Sequence, residues 1–238
     1  MSTISSLRPD TALSDGTSSP FGGQIIKESV SQQAYGAIRN SLMRSRLKPG
    51  QKLVARQVAD ELGISVTPVR ESLLRLVSEH ALALDERGTV VVPILTLERC
   101  IEIRDLRMLI EGEGAARAAK LVTDTDINNL QSVHGRYVQT ETGRNFGAAL
   151  AENENFHFAV CRLAQSPTLL RVVENLWMQF GPTLSYLYDS QSRPFHGQKH
   201  GHVRVMEALQ RRDGELARKA MRQDILIGGR ALLEKLKA

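Results

Sequence analysis

Hydrophobic positions recur along most of this chain at helical spacing, and the elements change where that spacing breaks. From Ser29 to Met43, Val30, Ala34, Ala37, Ile38 and Leu42 fall on one side of a helix, closed by the turn Leu47 to Gly50. Ala55 to Leu62 repeats the pattern with Val58, Ala59 and Leu62, and Gly63 ends it by accepting positive φ. A further helix follows at once. Ser65 or Thr67 can cap it and Pro68 sits in its first turn; Val69, Leu73, Leu76 and Val77 keep helical spacing while Arg70 and Arg75 project elsewhere. The helical spacing then breaks: the short runs Leu82-Ala83-Leu84 and Thr89 to Val92 flank Asp85-Glu86-Arg87-Gly88, a small hairpin with Arg87 at its tip. Two short helices joined by a tight turn, with a wing behind them, predict a winged helix-turn-helix whose last helix can enter a major groove.

Beyond Pro93 the period returns to that of a helix almost to the end. Thr96 to Leu121 carries Leu97, Ile101, Leu106, Leu109 and Ile110, interrupted at Gly112 and Gly114. Asp124 or Thr125 can cap a helix to about Gln139, and others are predicted from Phe146 to about Leu163, Thr168 to Phe180 and around Thr183 to Asp189. The polar stretch Ser190 to Gly201 separates them from helices at His202 to Arg211 and Asp213 to Lys235. The fold expected is mainly α: a winged helix-turn-helix over 24–95, then an all-α antiparallel helix bundle over 96–238. Met1 to Gly23, rich in Ser, Thr, Pro and Gly, lacks the apolar surface to offset its ordering entropy and is expected to be a flexible tail.

Composition narrows the picture a little. With 238 residues and a 42% apolar share, two modest cores are within reach, and a net charge of +5 is compatible with nucleic acid without demanding it. Position matters more: Arg39, Arg44, Arg46, Lys48, Lys52 and Arg56 follow one another with no Asp or Glu between them, a one-sign stretch suited to phosphates. Cys100 and Cys161 form no paired motif, so a disulfide framework or zinc ribbon is not expected. No stretch has the apolar length of a membrane span and the N-terminus lacks a basic region followed by an apolar run, so a cytoplasmic protein is expected.

The run LKPGQKLVARQVADELGISVTPVRESLLRL, with ERGTVVVP behind it, resembles the winged helix-turn-helix of the GntR transcription regulators, in particular their FadR branch, throughout residues 30–95. The resemblance implies a dimeric DNA-binding regulator whose C-terminal domain, a compact bundle of six or seven helices of the FCD type, senses a small molecule. Arg56 and Arg70 match the two family arginines that reach the operator, and Ser65 and Thr67 can donate to phosphates from the helix N-terminus. Where the family usually carries an Arg after that Ser, this chain has Val66, which shifts readout toward apolar contact with a thymine methyl. Arg87 would reach the adjacent minor groove from the wing.

In the bundle, Asn153 and His157 lie four apart in NENFH, on one helix face. Metal-binding FCD regulators place an Asp four residues before a His, a second His opening the penultimate helix and a third His in the last; Asn153, His157, His202 and Asp224 stand at those positions here. One carboxylate leaves at Asn153 and one arrives at Asp224. Two imidazoles and a carboxylate therefore remain for Zn²⁺, Ni²⁺ or a similar divalent ion, with the Asn153 amide a weak fourth donor. Without metal, His157 and His202 would hydrogen-bond the effector directly, whereas His196 and His200, in a Gly-containing run, are expected to be solvated.

Arg107 matches a family position, R-x-x-x-E, from which a guanidinium can hold an effector carboxylate; the alternative is an internal ion pair with Glu111. Trp177 and Tyr186 either line the same cavity or belong to the core. The partners implied are double-stranded operator DNA, a small carboxylate effector and a second copy of the chain. The effector would act by changing how the first bundle helix presents the linker Pro93 to Thr96. A competing class, a metal-dependent bundle enzyme fused to a DNA-binding module, would need a general base beside the His pair, and the sequence has neither an HExxH run nor paired ExxH motifs.

Overall fold

The computed structural model describes residues 30–187 and 200–237. The expected tail, His196 and most of the polar stretch before Gly201 lie outside the described residues. Apolar spacing becomes helix where it was read. Helices α1 (Val30–Met43), α2 (Ala55–Leu62) and α3 (Val66–Ser78) precede strands β1 (Ala83–Leu84) and β2 (Val90–Val91), which pair antiparallel with Ala83 opposite Val91. Lys52 adds one bridge to Val91 and ties the turn before α2 to the wing. The rest is helical: α4 (Leu97–Leu121), α5 (Asp124–Thr142), α6 (Phe146–Leu163), α7 (Pro167–Phe180), a 3₁₀ segment (Gly181–Leu187), α8 (Gly201–Gln210) and α9 (Gly214–Lys237).

Local chemistry explains the boundaries, including those the spacing misplaced. Gly63, at φ 67°, closes α2 as expected. The residue capping α5 is Thr123, one position earlier than expected: its hydroxyl accepts from Asp126 N–H while the Asp126 carboxylate accepts from Thr123 N–H, a reciprocal pair satisfying two terminal donors. Helix α4 runs unbroken through Gly112 and Gly114, because Arg222 and Leu169 pack against those backbone positions and supply what side chains would have. α4 and α9 lie against each other, with α6, α7 and α8 around them and α5 packed on α6 and α8.

One apolar core crosses the expected domain boundary. Leu42, Leu73, Leu76 and Val92 of the reader belong to the same buried cluster as Ile103, Val173, Trp177, Phe180 and Leu232; a second cluster, with Leu130, Phe156, Leu209 and Met221, fills the other side of the bundle. Polar contacts reinforce the docking. Arg39 pairs with Glu174 at 2.6 Å, Ser45 Oγ donates to the Gly181 carbonyl at 2.6 Å, and Asn175 Nδ2 donates to the Glu79 carbonyl at 3.0 Å. At Gly181 a Cβ would stand 2.5 Å from the Leu42 carbonyl oxygen and 2.9 Å from Met43 Cα, both backbone atoms that cannot swing aside. Gly181→Ala is therefore expected to cost about 1–3 kcal/mol by overpacking. Thermal unfolding measures it, and an unchanged midpoint would show that α1 does not seat there.

Candidate DNA reader and effector cavity

The reader leaves only some of its cations unpaired: Arg39, Arg44, Lys52 and Arg75, expected among the phosphate-facing or projecting cations, pair instead with Glu174, Glu154, Asp85 and Glu79. Val69, Leu73 and Leu76 anchor one face of α3 in the core, so the opposite face, with Thr67 and Arg70, is held out to solvent. Among the described residues, no hydrogen bond or ion pair engages the side chains of Arg56, Arg70 or Arg87, all three exposed. Ser65 occupies the N-cap position of α3 with extended backbone, but its side chain makes no capping bond, contrary to the role expected for it; its hydroxyl is left to an outside partner. Val66 opens the helix and is partly buried against the core. Asp85 holds the wing turn by accepting from Arg87 and Thr89 N–H, which carries the Arg87 side chain outward.

The bundle encloses a different chemistry. Glu111 on α4 is wholly buried; Oε1 accepts from Arg107 Nε at 2.6 Å and from Trp177 Nε1 at 3.1 Å, and Oε2 lies 2.7 Å from His157 Nδ1. The other ring nitrogen of His157, Nε2, is 3.1 Å from Asp224 Oδ2 on α9. Burial alone would push Glu111 up; Arg107 and His157 outweigh it and lower the carboxyl to about 2. Burial likewise pushes His157 down, and the two flanking carboxylates outweigh it and raise the imidazole to about 9. Two cations and two anions thus balance inside the helices. The ion pair expected as the alternative role for Arg107 is present, and its guanidinium carbon also lies 4.0 Å above the Trp177 ring.

Arg104, Arg107, Leu150, Asn153, His157 and Asp224 line a cavity of about 40 Å³, closed on one side by Phe180, Leu184 and Leu187. That volume suits a few waters or a very small acid, not a drug-sized ligand. Trp177 belongs to the core beneath it, as does the partly buried Tyr186.

On the far side of His157 stand three more imidazoles. His202 is fully buried, stacked on Phe156 with centroids 3.7 Å apart, and neither of its ring nitrogens has a hydrogen-bond partner among the described residues. His200, expected in solvent, is instead buried: it is the N-cap of α8, its Nδ1 accepts from His202 N–H at 3.3 Å, and capping draws the ring inward. Burial lowers His200 to about 4 and holds His202 well below the usual imidazole range, so both rings are neutral. His134 on α5 escaped the sequence reading. A signal was present: Ile127, Leu130, His134 and Tyr137 follow at spacings of three and four, and the other three are buried core.

Ligand atoms of His157, His202 and Asp224 lie within 4.8 Å of one another, all buried, and those of His134, His200 and His202 form a second such group. Two imidazoles and a carboxylate, with Glu111 fixing the opposite nitrogen of His157, fit a divalent ion of the Zn²⁺ or Ni²⁺ kind. Glycine is required beside this group: a Cβ at Gly201 would collide with Asp224 Oδ1 and stand 2.7 Å from Asp224 Cβ. Gly201→Ala should push Asp224 off His157 and lower stability by about 1–3 kcal/mol. A denaturant midpoint equal to that of the parent chain would show that α8 and α9 are spaced more loosely.

Against known proteins, residues 30–92 match the family model described as bacterial regulatory proteins, gntR family, and residues 102–226 match that of the FCD domain. The chain is 32% identical over 171 residues to the HTH-type transcriptional regulator McbR of Escherichia coli, covering 72% of this chain and 77% of that one. It is 26% identical to the HTH-type transcriptional repressor RspR of Escherichia coli, over 82% of this chain and 86% of the relative. Among solved structures, Escherichia coli McbR/YncC superposes with a TM-score of 0.82 at 28% identity, over 89% of this chain and 100% of that chain. A putative GntR regulator from Rhodococcus, at TM-score 0.70 and 17% identity over 86% of this chain and 97% of that one, shares the fold.

Proposed function

This chain belongs to the gntR family of bacterial regulatory proteins, with an FCD domain behind its reader, and we propose that it works as a homodimeric repressor on a near-palindromic operator. It is a ligand-responsive, DNA-binding transcription regulator and not an enzyme, in keeping with the regulators it is similar to. No helix among the described residues is long and apolar enough to cross a membrane, and we place its work in the cytoplasm, on double-stranded DNA. The observation that carries the reading is the free face of α3: Ser65, Thr67 and Arg70 stand exposed on a helix whose other face is fixed in the core. There Arg70 reads a base edge, Arg56 and the α3 N-terminus hold phosphates, Val66 meets a thymine methyl, and Arg87 enters the minor groove. Exposed Leu106 and Leu109 on α4, with Leu226 and Ile227 on α9, supply apolar surface for a two-fold contact.

The effector is a small carboxylate held by Arg107 and His157, which line the cavity; His202, expected beside them, stands behind His157 outside its lining. A divalent ion, when bound, would be held by His157, His202 and Asp224, with the Asn153 amide beside it, and would supply a positive centre for the acid. The docking of the reader supports a shorter signal route than the linker Pro93 to Thr96. Phe180 and Leu184 wall the cavity, and Gly181 between them touches Leu42 and Met43 at the end of α1. An acid that displaces this wall moves the reader, and by linkage it must bind the free and DNA-bound forms unequally.

The test is anisotropy of labelled DNA from upstream of the protein's own gene, at about 50 and 200 mM salt, where phosphate contacts make affinity fall steeply. Preference over competitor DNA, changed by a small acid, is expected. Equal affinity for both DNAs would leave a nonspecific binder in its place.

A further inference from the structure

His202 belongs to two groups of potential ligands, and the two differ in how far their members are already engaged. Toward the cavity, both nitrogens of His157 face carboxylates, Glu111 at 2.7 Å and Asp224 at 3.1 Å, so that side is complete as a charge network. Away from the cavity, two of the three members, His134 and His202, carry ring nitrogens without a hydrogen-bond partner among the described residues. His202 presents two ring nitrogens without a hydrogen-bond partner in a fully buried site, and His134 Nδ1 is buried without one, among the described residues. Buried polar atoms are nearly always satisfied, so such a pair asks for a partner that the polypeptide does not supply.

We propose that His134, His200 and His202 form a divalent-metal site in their own right, separate from the cavity positions. Their ligand atoms lie within 4.8 Å of one another, and they come from three places in the chain: α5, the cap of α8 and α8 itself. Ring centroids are 4.1 Å apart for His200 and His202, 5.4 Å for His134 and His202, and 6.0 Å for His134 and His200. Three imidazoles select Zn²⁺, Ni²⁺ or Co²⁺ over Mg²⁺ and Ca²⁺, which prefer oxygen. Asp224 Oδ1 lies 3.8 Å from His200 Nδ1; an ion on Nε2 of His200 would require the proton on Nδ1, giving up the cap bond from His202 N–H for one toward this carboxylate. The phenol ring of Tyr137, its centroid 4.7 Å from that of His200, walls the group. An ion there clamps α5 to the start of α8. A neutral imidazole has one lone pair, so His202 serves this position or the cavity position and not both at once.

The experiment uses the full chain stripped with EDTA and titrated with Co²⁺. One Co²⁺ per chain is expected; His134→Ala should weaken binding at least about tenfold, while its thermal midpoint in EDTA stays that of the parent because His134 is only half-buried. His134→Cys should keep the ion and add a thiolate-to-cobalt charge-transfer band. Bound Co²⁺ without that band overturns the proposal and puts the ion with His157 and Asp224 instead. No Co²⁺ binding by the parent chain removes both ion positions and leaves the DNA reader untouched, since that is judged on DNA alone.

Discussion

Arg70→Ala is expected to abolish preference for the operator while leaving the dimer and its thermal midpoint unchanged. The exposed guanidinium makes no hydrogen bond or ion pair among the described residues, so its removal should cost the fold little, and any loss measured on DNA belongs to the interface. A bidentate base contact gives roughly ten- to hundredfold discrimination, and a two-fold dimer loses it at both half-sites, about 10²- to 10⁴-fold in all. Arg56→Ala should behave differently. As a phosphate contact it should weaken operator and competitor DNA together and flatten the salt dependence by about one unit of slope per half-site. The two variants titrated side by side on both DNAs decide the matter: unchanged operator preference in Arg70→Ala would mean that another face reads the bases.

Glu111→Ala should be the most damaging single change in the bundle. The carboxylate is wholly buried and holds Arg107, His157 and Trp177 at once, so its loss strands a guanidinium and an imidazolium without a counter-ion on one side. Breaking a buried pair from one side costs about 3–5 kcal/mol. A partly folded or aggregating product is expected, and Glu111→Gln, which keeps the shape and one acceptor, should recover part of the loss. Urea unfolding checks both variants; a midpoint for Glu111→Ala equal to the parent's would mean that water reaches this cluster and that its charges are not mutually dependent.

Why these two groups differ so much in legibility is a matter of range. Arg70 sits in a block where spacing, caps and the tight turn are all local, and the exposure of one helix face follows from the burial of the other. Glu111, His157 and Asp224 are 46 and 67 positions apart along the chain, and their meeting depends on how α4, α6 and α9 cross. The resemblance placed His157, His202 and Asp224 together; it said nothing of Glu111 closing the network. The polar, glycine-containing run around His200 is a local signal for solvent, and capping of α8 overrides it. His134 has no metal-ligand spacing to a neighbour in sequence, and only the buried stripe of α5 that runs through it marks it.

From residue order alone came the winged reader, the all-helical bundle behind it, nearly every helix boundary and the outward face of α3 that carries Arg70, since each depends on contacts a few residues long. Tertiary packing alone decided that the reader shares its core with α7, that Glu111 and Asp224 grip His157 from both sides, and that three imidazoles gather behind it. Those depend on the angles at which helices pack, which emerge only when all the interlocking side chains are in place at once.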